Sequence, residues 1–187
     1  MDCRGSVFLI FLLATLLPSS PQAFDEEPYS LVEGSFKVSS PFSVALDTLQ
    51  KQINYTFKSV GLLRRALTHA SFSEENNKAL SISGASVIET SIALQSLIKD
   101  VDISAKDLNR MIAAASKVDS SCNADGTRLG LQNIVRVSHK TNATAPPVVC
   151  GAFRAVLGAI AVDAGSSDEA GRVYGKIHRG FGKAMAM

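Results

Sequence analysis

The residues that could do chemistry in this sequence are its serines, histidines and cysteines. Ser81, Ser83 and Ser86 lie close together, but no evident base accompanies them to activate a hydroxyl. None of the histidines (His69, His139 and His178) shows zinc-ligand spacing with a cysteine. The glycines form neither a phosphate-binding loop nor a nucleophile elbow. The sequence therefore predicts none of these catalytic sites, and we expect no cofactor.

The N-terminal segment is typical of a secretory signal peptide. A short polar start leads into an apolar run at 7–17, and small or polar residues follow as far as Ala23. The run is too short for a membrane span of about 20 residues. We predict a leader at 1–23, a flexible arm at 24–41, and no transmembrane span once the leader is cleaved. A retained signal anchor or an organellar transit peptide is the alternative, although a transit peptide is normally rich in Arg and Ser.

Two further features agree with secretion. Loss of the leader would remove Cys3 and leave Cys122 and Cys150 as an even pair, which could form a disulfide in an oxidising lumen. Packing as two free, half-buried thiols is the other interpretation. Asn54 and Asn142 each begin an Asn-x-Thr sequon without proline, so both are candidate glycosylation sites.

The rest of the chain, 42–187, has the hydrophobic periodicity of an all-α domain. We predict helices at 42–52, 60–70, 80–99, 104–118, 126–133, 149–164 and 167–181. Ser104 with Asp107 is similar to a capping box, and Gly165 suits a helix end. No segment indicates a confident strand.

Three ordered blocks carry a family resemblance. They are Ala66-Leu-Thr-His-Ala-Ser-Phe72, the stretch from Asn77 to Ile88, and the stretch from Cys150 to Asp163. In order and spacing they resemble the motifs of the ribonuclease III domain. The resemblance implies a helical bundle like the endonuclease domain of that family.

The same resemblance identifies where catalytic carboxylates would lie. The family places Glu, Asp, Asp and Glu where this chain has Ser81, Ala85, Gly151 and Arg154. Each pair falls on one helix face, at i and i+4 or at i and i+3. Mg²⁺ needs hard oxygen ligands, and the guanidinium of Arg154 would repel it. We therefore expect a non-catalytic protein with no bound metal.

Domains of this family pair through the helix that contains the second block. We assign a dimer or partner-binding face to five apolar residues of this helix. They are Leu80, Ile82, Val87, Ile88 and Ile92. Ile82 replaces the aromatic residue usual at the family's dimer contact, which weakens the expectation of the standard dimer.

Charge gives little indication of RNA binding. The formal net charge is +2, although basic residues predominate after Arg128. Lys176, Arg179 and Lys183 would form a basic stripe on the last helix, which could contact phosphates or could be a solvated face near a helix C-terminus. In the bacterial enzyme of this family a double-stranded RNA-binding domain follows the nuclease domain, and we expect none here because the sequence ends at Met187. RNA binding is therefore doubtful.

A degenerate ribonuclease III domain behind a secretory leader is most similar to the nuclear fusion defective proteins of plants. That resemblance implies a role in the fusion of nuclei, performed from the endoplasmic reticulum or perinuclear lumen, or after secretion. Two alternatives remain, namely a double-stranded RNA-processing endonuclease and an RNA-binding or ribosome-associated protein of a plastid or mitochondrion.

Overall fold

The computed structural model describes residues 40–180, and this part of the chain forms seven α-helices. They are α1 Pro41–Ile53, α2 Val60–Ala66, α3 Lys78–Lys99, α4 Ala105–Ser116, α5 Asn123–Arg128, α6 Pro146–Ala164 and α7 Ser167–Gly180. A π-helical turn at Val118–Cys122 precedes α5, and a 3-10 turn at Leu131–Asn133 follows it. The all-α class is confirmed. The predicted leader at 1–23 and nearly all of the predicted arm at 24–41 lie outside the described residues.

Local signals determine where several helices begin and end. Ser40 caps α1, where its Oγ accepts the Ser43 N–H at 3.2 Å. Ser104 caps α4 in the same way, accepting the Asp107 N–H at 3.1 Å. Gly165 ends α6 with φ 71°, in the left-handed region that glycine adopts without strain. The predicted cap at Ser104 and the predicted end at Gly165 are confirmed.

Two predicted helices are shorter than their periodicity indicated. Helix α2 stops a turn early because its C-terminal backbone pairs with Arg136. The Arg136 N–H donates to the Leu67 carbonyl at 2.8 Å, and the His69 N–H donates to the Arg136 carbonyl at 2.9 Å. The helix predicted at 126–133 is divided into α5 and the 3-10 turn because Gly130 adopts φ 71° between them.

The core forms around α6, whose side chains are buried on most sides. Helix α3 packs along it most extensively, and α2, α5 and α7 cover further faces. In the described part of the chain, α6 alone is long and apolar enough to cross a membrane, with mean hydropathy 1.6. However, 61% of that apolar window is buried inside the fold, as in the core helix of a globular domain.

Helices α3 and α6 cross in backbone contact at Gly84 and Gly158. A Cβ atom added to Gly84 would lie 1.7 Å from the carbonyl oxygen of Arg154. One added to Gly158 would lie 2.0 Å from the carbonyl oxygen of Leu80. The earlier residue of α3 meets the later residue of α6, so the helices run antiparallel. Only glycine allows the two backbones to approach so closely.

A disulfide joins Cys122 and Cys150, with their Cα atoms 5.1 Å apart. Both residues are buried. The bond attaches the π-helical turn to the first part of α6, so the connection between α4 and α5 is fixed to the core. Of the two arrangements that the sequence left open for these cysteines, the structure has the bonded one.

Candidate functional site

The two helices that cross at the glycines also carry the four positions where the sequence predicts lost ligands. Ser81 and Ala85 lie on α3 on either side of the crossing, and Gly151 and Arg154 lie on α6. All four are partly exposed rather than buried. A Cβ atom added to Gly151 would meet nothing within 4 Å, so this position opens into free space. The structure therefore places the four positions on two packed helices.

Arg154 has a partner that the sequence did not indicate. Its Nη2 donates to the carbonyl oxygen of Ser116 at 2.6 Å, and Ser116 is the last residue of α4. A cation at a helix C-terminus satisfies a carbonyl that has no partner within the helix and interacts favourably with the helix dipole. The Nε of Arg154 is buried without a hydrogen-bond partner. Arg154 therefore caps α4 and connects it to the central helix.

These residues do not fit a Mg²⁺ ion. The four side chains are a hydroxyl, a methyl, a hydrogen and a guanidinium, whereas Mg²⁺ takes oxygen ligands, chiefly carboxylates and waters. The guanidinium is also committed to Ser116. Within residues 40–180, no group of three or more His, Cys, Asp or Glu side chains is placed to hold a metal ion.

Asp163, an acid near the C-terminal end of α6, has a structural role. Its carboxylate accepts the Tyr55 hydroxyl at 2.8 Å and the N–H groups of Lys58 and Ser59 at 2.9 and 2.8 Å. Burial alone would raise the pKa of Asp163, but these hydrogen bonds lower it below its ordinary value. Burial and the bond to Asp163 raise the pKa of Tyr55 to about 12. Asp163 therefore attaches the start of α2 to the core.

The histidines also have structural surroundings. His69 accepts the Ser71 N–H at its Nδ1, 3.1 Å away, which agrees with a structural role in the first motif block. His139 is exposed. The Nδ1 of His178, on α7, is 3.0 Å from the buried carboxylate of Asp125. Burial, assisted by the charge of Arg128, lowers the pKa of His178.

The predicted partner-binding face on α3 is largely wrong. Leu80, Val87 and Ile88 are buried in the chain's own core, and Ile92 is partly buried against it. Helix α3 packs against α6, α4 and α7, so most of its apolar residues already have contacts within the chain. Ile82 differs from the other four because its side chain is 72% exposed.

A different apolar surface on α3 was missed by the sequence reasoning. Leu94, Leu97 and Ile98 lie at i, i+3 and i+4 near the end of α3, and Val101 follows just beyond the helix; all four are exposed, with Ile98 at 84%. This spacing is the usual pattern of a helix face that packs against another helix. The pattern is visible in the sequence, but the sequence does not show that these side chains stay exposed among residues 40–180. We call these four residues the α3 apolar stripe.

The remaining predicted sites lie at the surface. Asn54 and Asn142 are both exposed. The Asn142 Oδ1 accepts the N–H of Thr144 at 2.9 Å and its hydroxyl at 2.8 Å, which closes the second sequon into a turn. Of the predicted basic stripe, Lys176 is exposed on α7. The side chain of Arg179 and all of Lys183 lie outside the described part.

Sequence comparisons identify relatives of this chain. The Arabidopsis thaliana protein Nuclear Fusion Defective 2 is 58% identical over 140 residues, which cover 75% of this chain and 73% of that protein. Ribonuclease 3 of Albidiferax ferrireducens is 32% identical over 124 residues, or 64% of this chain and 54% of the enzyme. The bacterial match therefore spans about half of the enzyme's length.

Solved structures agree with these relatives. The nuclease domain of Campylobacter jejuni ribonuclease III, described for structural flexibility in a region involved in dimer formation, matches with a TM-score of 0.67 and 26% identity. The match covers 71% of this chain and 94% of that domain. The model of the ribonuclease-III-like family matches residues 59–179, from the start of α2 to the end of α7. This chain therefore belongs to the ribonuclease-III-like family.

Proposed function

We propose that this chain is a non-catalytic member of its family that acts in the fusion of nuclei from the lumen of the secretory or endomembrane system. The observation that carries the non-catalytic part is Arg154, which stands at a ligand position and caps α4 instead. The role in nuclear fusion is supported by the identity of 58% to Nuclear Fusion Defective 2 of Arabidopsis thaliana.

The chemistry of phosphodiester hydrolysis supports the absence of catalysis. Metal-assisted hydrolysis needs ions that activate water and stabilise the attacking and leaving oxygens. Ser81, Ala85 and Gly151 supply no carboxylate to hold such ions. Arg154 places a permanent positive charge at the fourth position. The alternative, a double-stranded RNA-processing endonuclease, would need those four acids.

A nuclease assay separates these two functions. The purified chain should leave a long RNA duplex intact in Mg²⁺ or Mn²⁺, under conditions where a bacterial ribonuclease III cuts it completely. As a matched test of the site, one variant, the four-acid variant, would combine Ser81→Glu, Ala85→Asp, Gly151→Asp and Arg154→Glu. Cleavage by the unmodified chain that is abolished by EDTA and co-purifies through every column would overturn the proposal.

Three features support a lumenal location. The apolar run at 7–17 resembles a secretory leader, both sequons lie on exposed residues, and the disulfide between Cys122 and Cys150 suits an oxidising compartment. An RNA-binding protein of a plastid or mitochondrion, the second alternative, would carry no N-glycan. Protein isolated from plant tissue should begin near Phe24 and lose mass on treatment with an N-glycan-removing enzyme. An unglycosylated chain that retains Met1 contradicts this location.

A partner would bind through α3. Ile82 and the α3 apolar stripe leave large apolar side chains in solvent, and contiguous exposed apolar surface of this kind commonly marks an interface. The solved relative with a region involved in dimer formation makes a second copy of this chain one candidate. Sedimentation of the chain and of Ile82→Ser, with Val162→Ser as a control for another exposed apolar residue, would show whether it self-associates through α3.

The role in nuclear fusion is tested by complementation. The full chain should restore the fusion of nuclei in Arabidopsis plants that lack Nuclear Fusion Defective 2. A version that begins at Phe24 should fail, because it would not enter the lumen. Rescue by the leaderless version would contradict the lumenal role, whereas failure of the full chain would contradict the role in nuclear fusion.

A further inference from the structure

The first sequon is attached to the fold at a fixed point. Asn54 ends α1 with φ 51° and ψ 46°, the left-handed conformation that asparagine tolerates better than most residues. Its backbone N–H donates to the Lys51 carbonyl at 3.2 Å. The next residue, Tyr55, donates to the Gln50 carbonyl and is bonded through its hydroxyl to Asp163. The Asn54 side chain therefore leaves the surface from a position fixed on both sides.

A cavity of about 350 Å³ opens beside Asn54, between the end of α1, the end of α5 and α7. Its other lining residues are Gln52, Ile53, Arg128, Leu129, Lys176 and Ile177. A volume of this size lies within the range of small-ligand sites. The cavity therefore joins three elements that are distant in the sequence, with a sequon asparagine in its wall.

The lining of this cavity is apolar in one part and polar in another. Ile53, Leu129 and Ile177 are buried residues, with exposed fractions of 2%, 7% and 6%. Gln52 and Lys176 are exposed, and they add an amide and an ammonium group to the polar part of the lining. A pyranose ring has the same division, because one face presents C–H groups while its hydroxyl and acetamide groups project at the edge. The cavity is thus suited to one N-acetylated sugar.

We propose that the first N-acetylglucosamine of a glycan on Asn54 packs into this cavity. The proposal rests on the proposed function, since only a chain in the secretory pathway receives an N-glycan. Covalent attachment makes the sugar's effective concentration high, so weak contacts suffice to keep it bound. Asn54 also lines a second cavity of about 590 Å³ with Asp47, Gln50, Lys51, Tyr55 and Thr56. That cavity is mainly polar, and water would compete there with the sugar for the polar groups of the lining.

The expected consequence is that the glycan on Asn54 stabilises the fold. The bound sugar would connect α1, α5 and α7. Unfolding would break these contacts, although the sugar would stay attached to Asn54. The second sequon gives a matched control, because Asn142 lies in the loop before α6 and does not line this cavity. A glycan there should leave stability nearly unchanged.

The test compares melting temperatures of the full chain secreted from a glycosylating host. Thr56→Ala prevents glycosylation of Asn54 while retaining the asparagine, which tolerates the left-handed conformation better than a replacement such as glutamine. We expect this variant to melt at least about 2 °C lower. The control Thr144→Ala removes the glycan at Asn142 together with the hydroxyl bond to Asn142 Oδ1. After the effect of the same variant in protein made without glycans is subtracted, its melting temperature should lie within about 1 °C of that of the unmodified chain. Trimming both glycans to one N-acetylglucosamine should preserve the melting temperature, because the first sugar is the one that binds.

A double-mutant cycle locates the sugar. Gln52→Ala should lower the melting temperature of the glycosylated protein but not that of Thr56→Ala, because the amide would then have no sugar to contact. Equal effects in both backgrounds, or an unchanged melting temperature in Thr56→Ala, would overturn the inference while leaving the proposed function intact. A glycan found on Asn142 alone would have the same result. If plant-derived protein carries a glycan at neither site, the lumenal proposal fails and this inference fails with it.

Discussion

Replacing Arg154 tests whether a residue at a lost ligand position now stabilises the fold. Its bond to the Ser116 carbonyl involves a charged donor and is worth about 1.5–3 kcal/mol, with about 0.3–1 kcal/mol from the helix dipole. Against this, the buried Nε without a partner costs about 1–3 kcal/mol, and that cost disappears with the side chain. The loss of contacts along the Arg154 stem adds to the destabilisation. We expect Arg154→Ala to lower the free energy of unfolding by about 1–2 kcal/mol.

Arg154→Glu should cost more, about 3–4 kcal/mol, because a carboxylate would face a carbonyl oxygen at a helix C-terminus with no donor. Urea denaturation measures both variants, and the midpoint should fall while the slope stays constant. Arg110→Ala is the matched control, since Arg110 is an exposed arginine on α4 paired with Asp107 at 2.9 Å and should cost under about 0.5 kcal/mol. A glutamate variant as stable as the alanine variant would refute the capping role.

The other predictions concern the crossing of α3 and α6 at Gly84, the hydrogen bonds of Asp163, and the disulfide. Gly84→Ala should lower the free energy of unfolding by more than about 3 kcal/mol, because the added methyl meets backbone rather than a movable side chain. Circular dichroism during urea denaturation measures this loss, and a loss under about 1 kcal/mol would contradict the close approach of the two helices. The hydrogen bonds to ionised Asp163 should stabilise the fold above about pH 4 and be lost as pH falls through the lowered pKa of Asp163. In denaturation curves, the difference in unfolding free energy between the unmodified chain and Asp163→Asn should therefore shrink below about pH 4. A difference that does not change with pH would contradict this role of Asp163. Replacing Cys122 and Cys150 together by alanine should cost about 3–4 kcal/mol, as expected for a closed loop with a sequence separation of 28; calorimetry with and without reductant measures this, and an unchanged melting temperature on reduction would argue against the bond.

Local periodicity and capping residues predicted much of the helical framework. The helix predicted at 80–99 is α3, Lys78–Lys99, and the one predicted at 149–164 is α6, Pro146–Ala164. These predictions succeed because an amphipathic pattern and a cap depend on residues a few positions apart. The prediction of where α2 ends was wrong because that end depends on hydrogen bonds to Arg136, which is distant in the sequence.

The contacts that define the site could not be read from local pattern. Arg154 and Ser116 are 38 residues apart, and Asp125 and His178 are 53 apart, so neither pair leaves a periodic signal. The partner-binding face failed for a related reason. Apolar spacing shows that a helix face is covered, but it does not say whether the cover is another part of the chain or a second molecule. On α3 the cover is mostly α6, with α4 and α7 packing against other parts of the helix.

The backbone contact at Gly84 and Gly158 uses other residues of α3 and α6 than the four positions where the family resemblance places carboxylates. Helices α3 and α6 approach each other closely at two residues that have no side chain, whereas the side chains of Ser81, Ala85 and Arg154 stand partly exposed beside this contact. Substitutions at those neighbours can therefore accumulate while the spacing of the scaffold is inherited unchanged. A catalytic set at the four positions and the helix crossing would therefore depend on different residues of the same two helices.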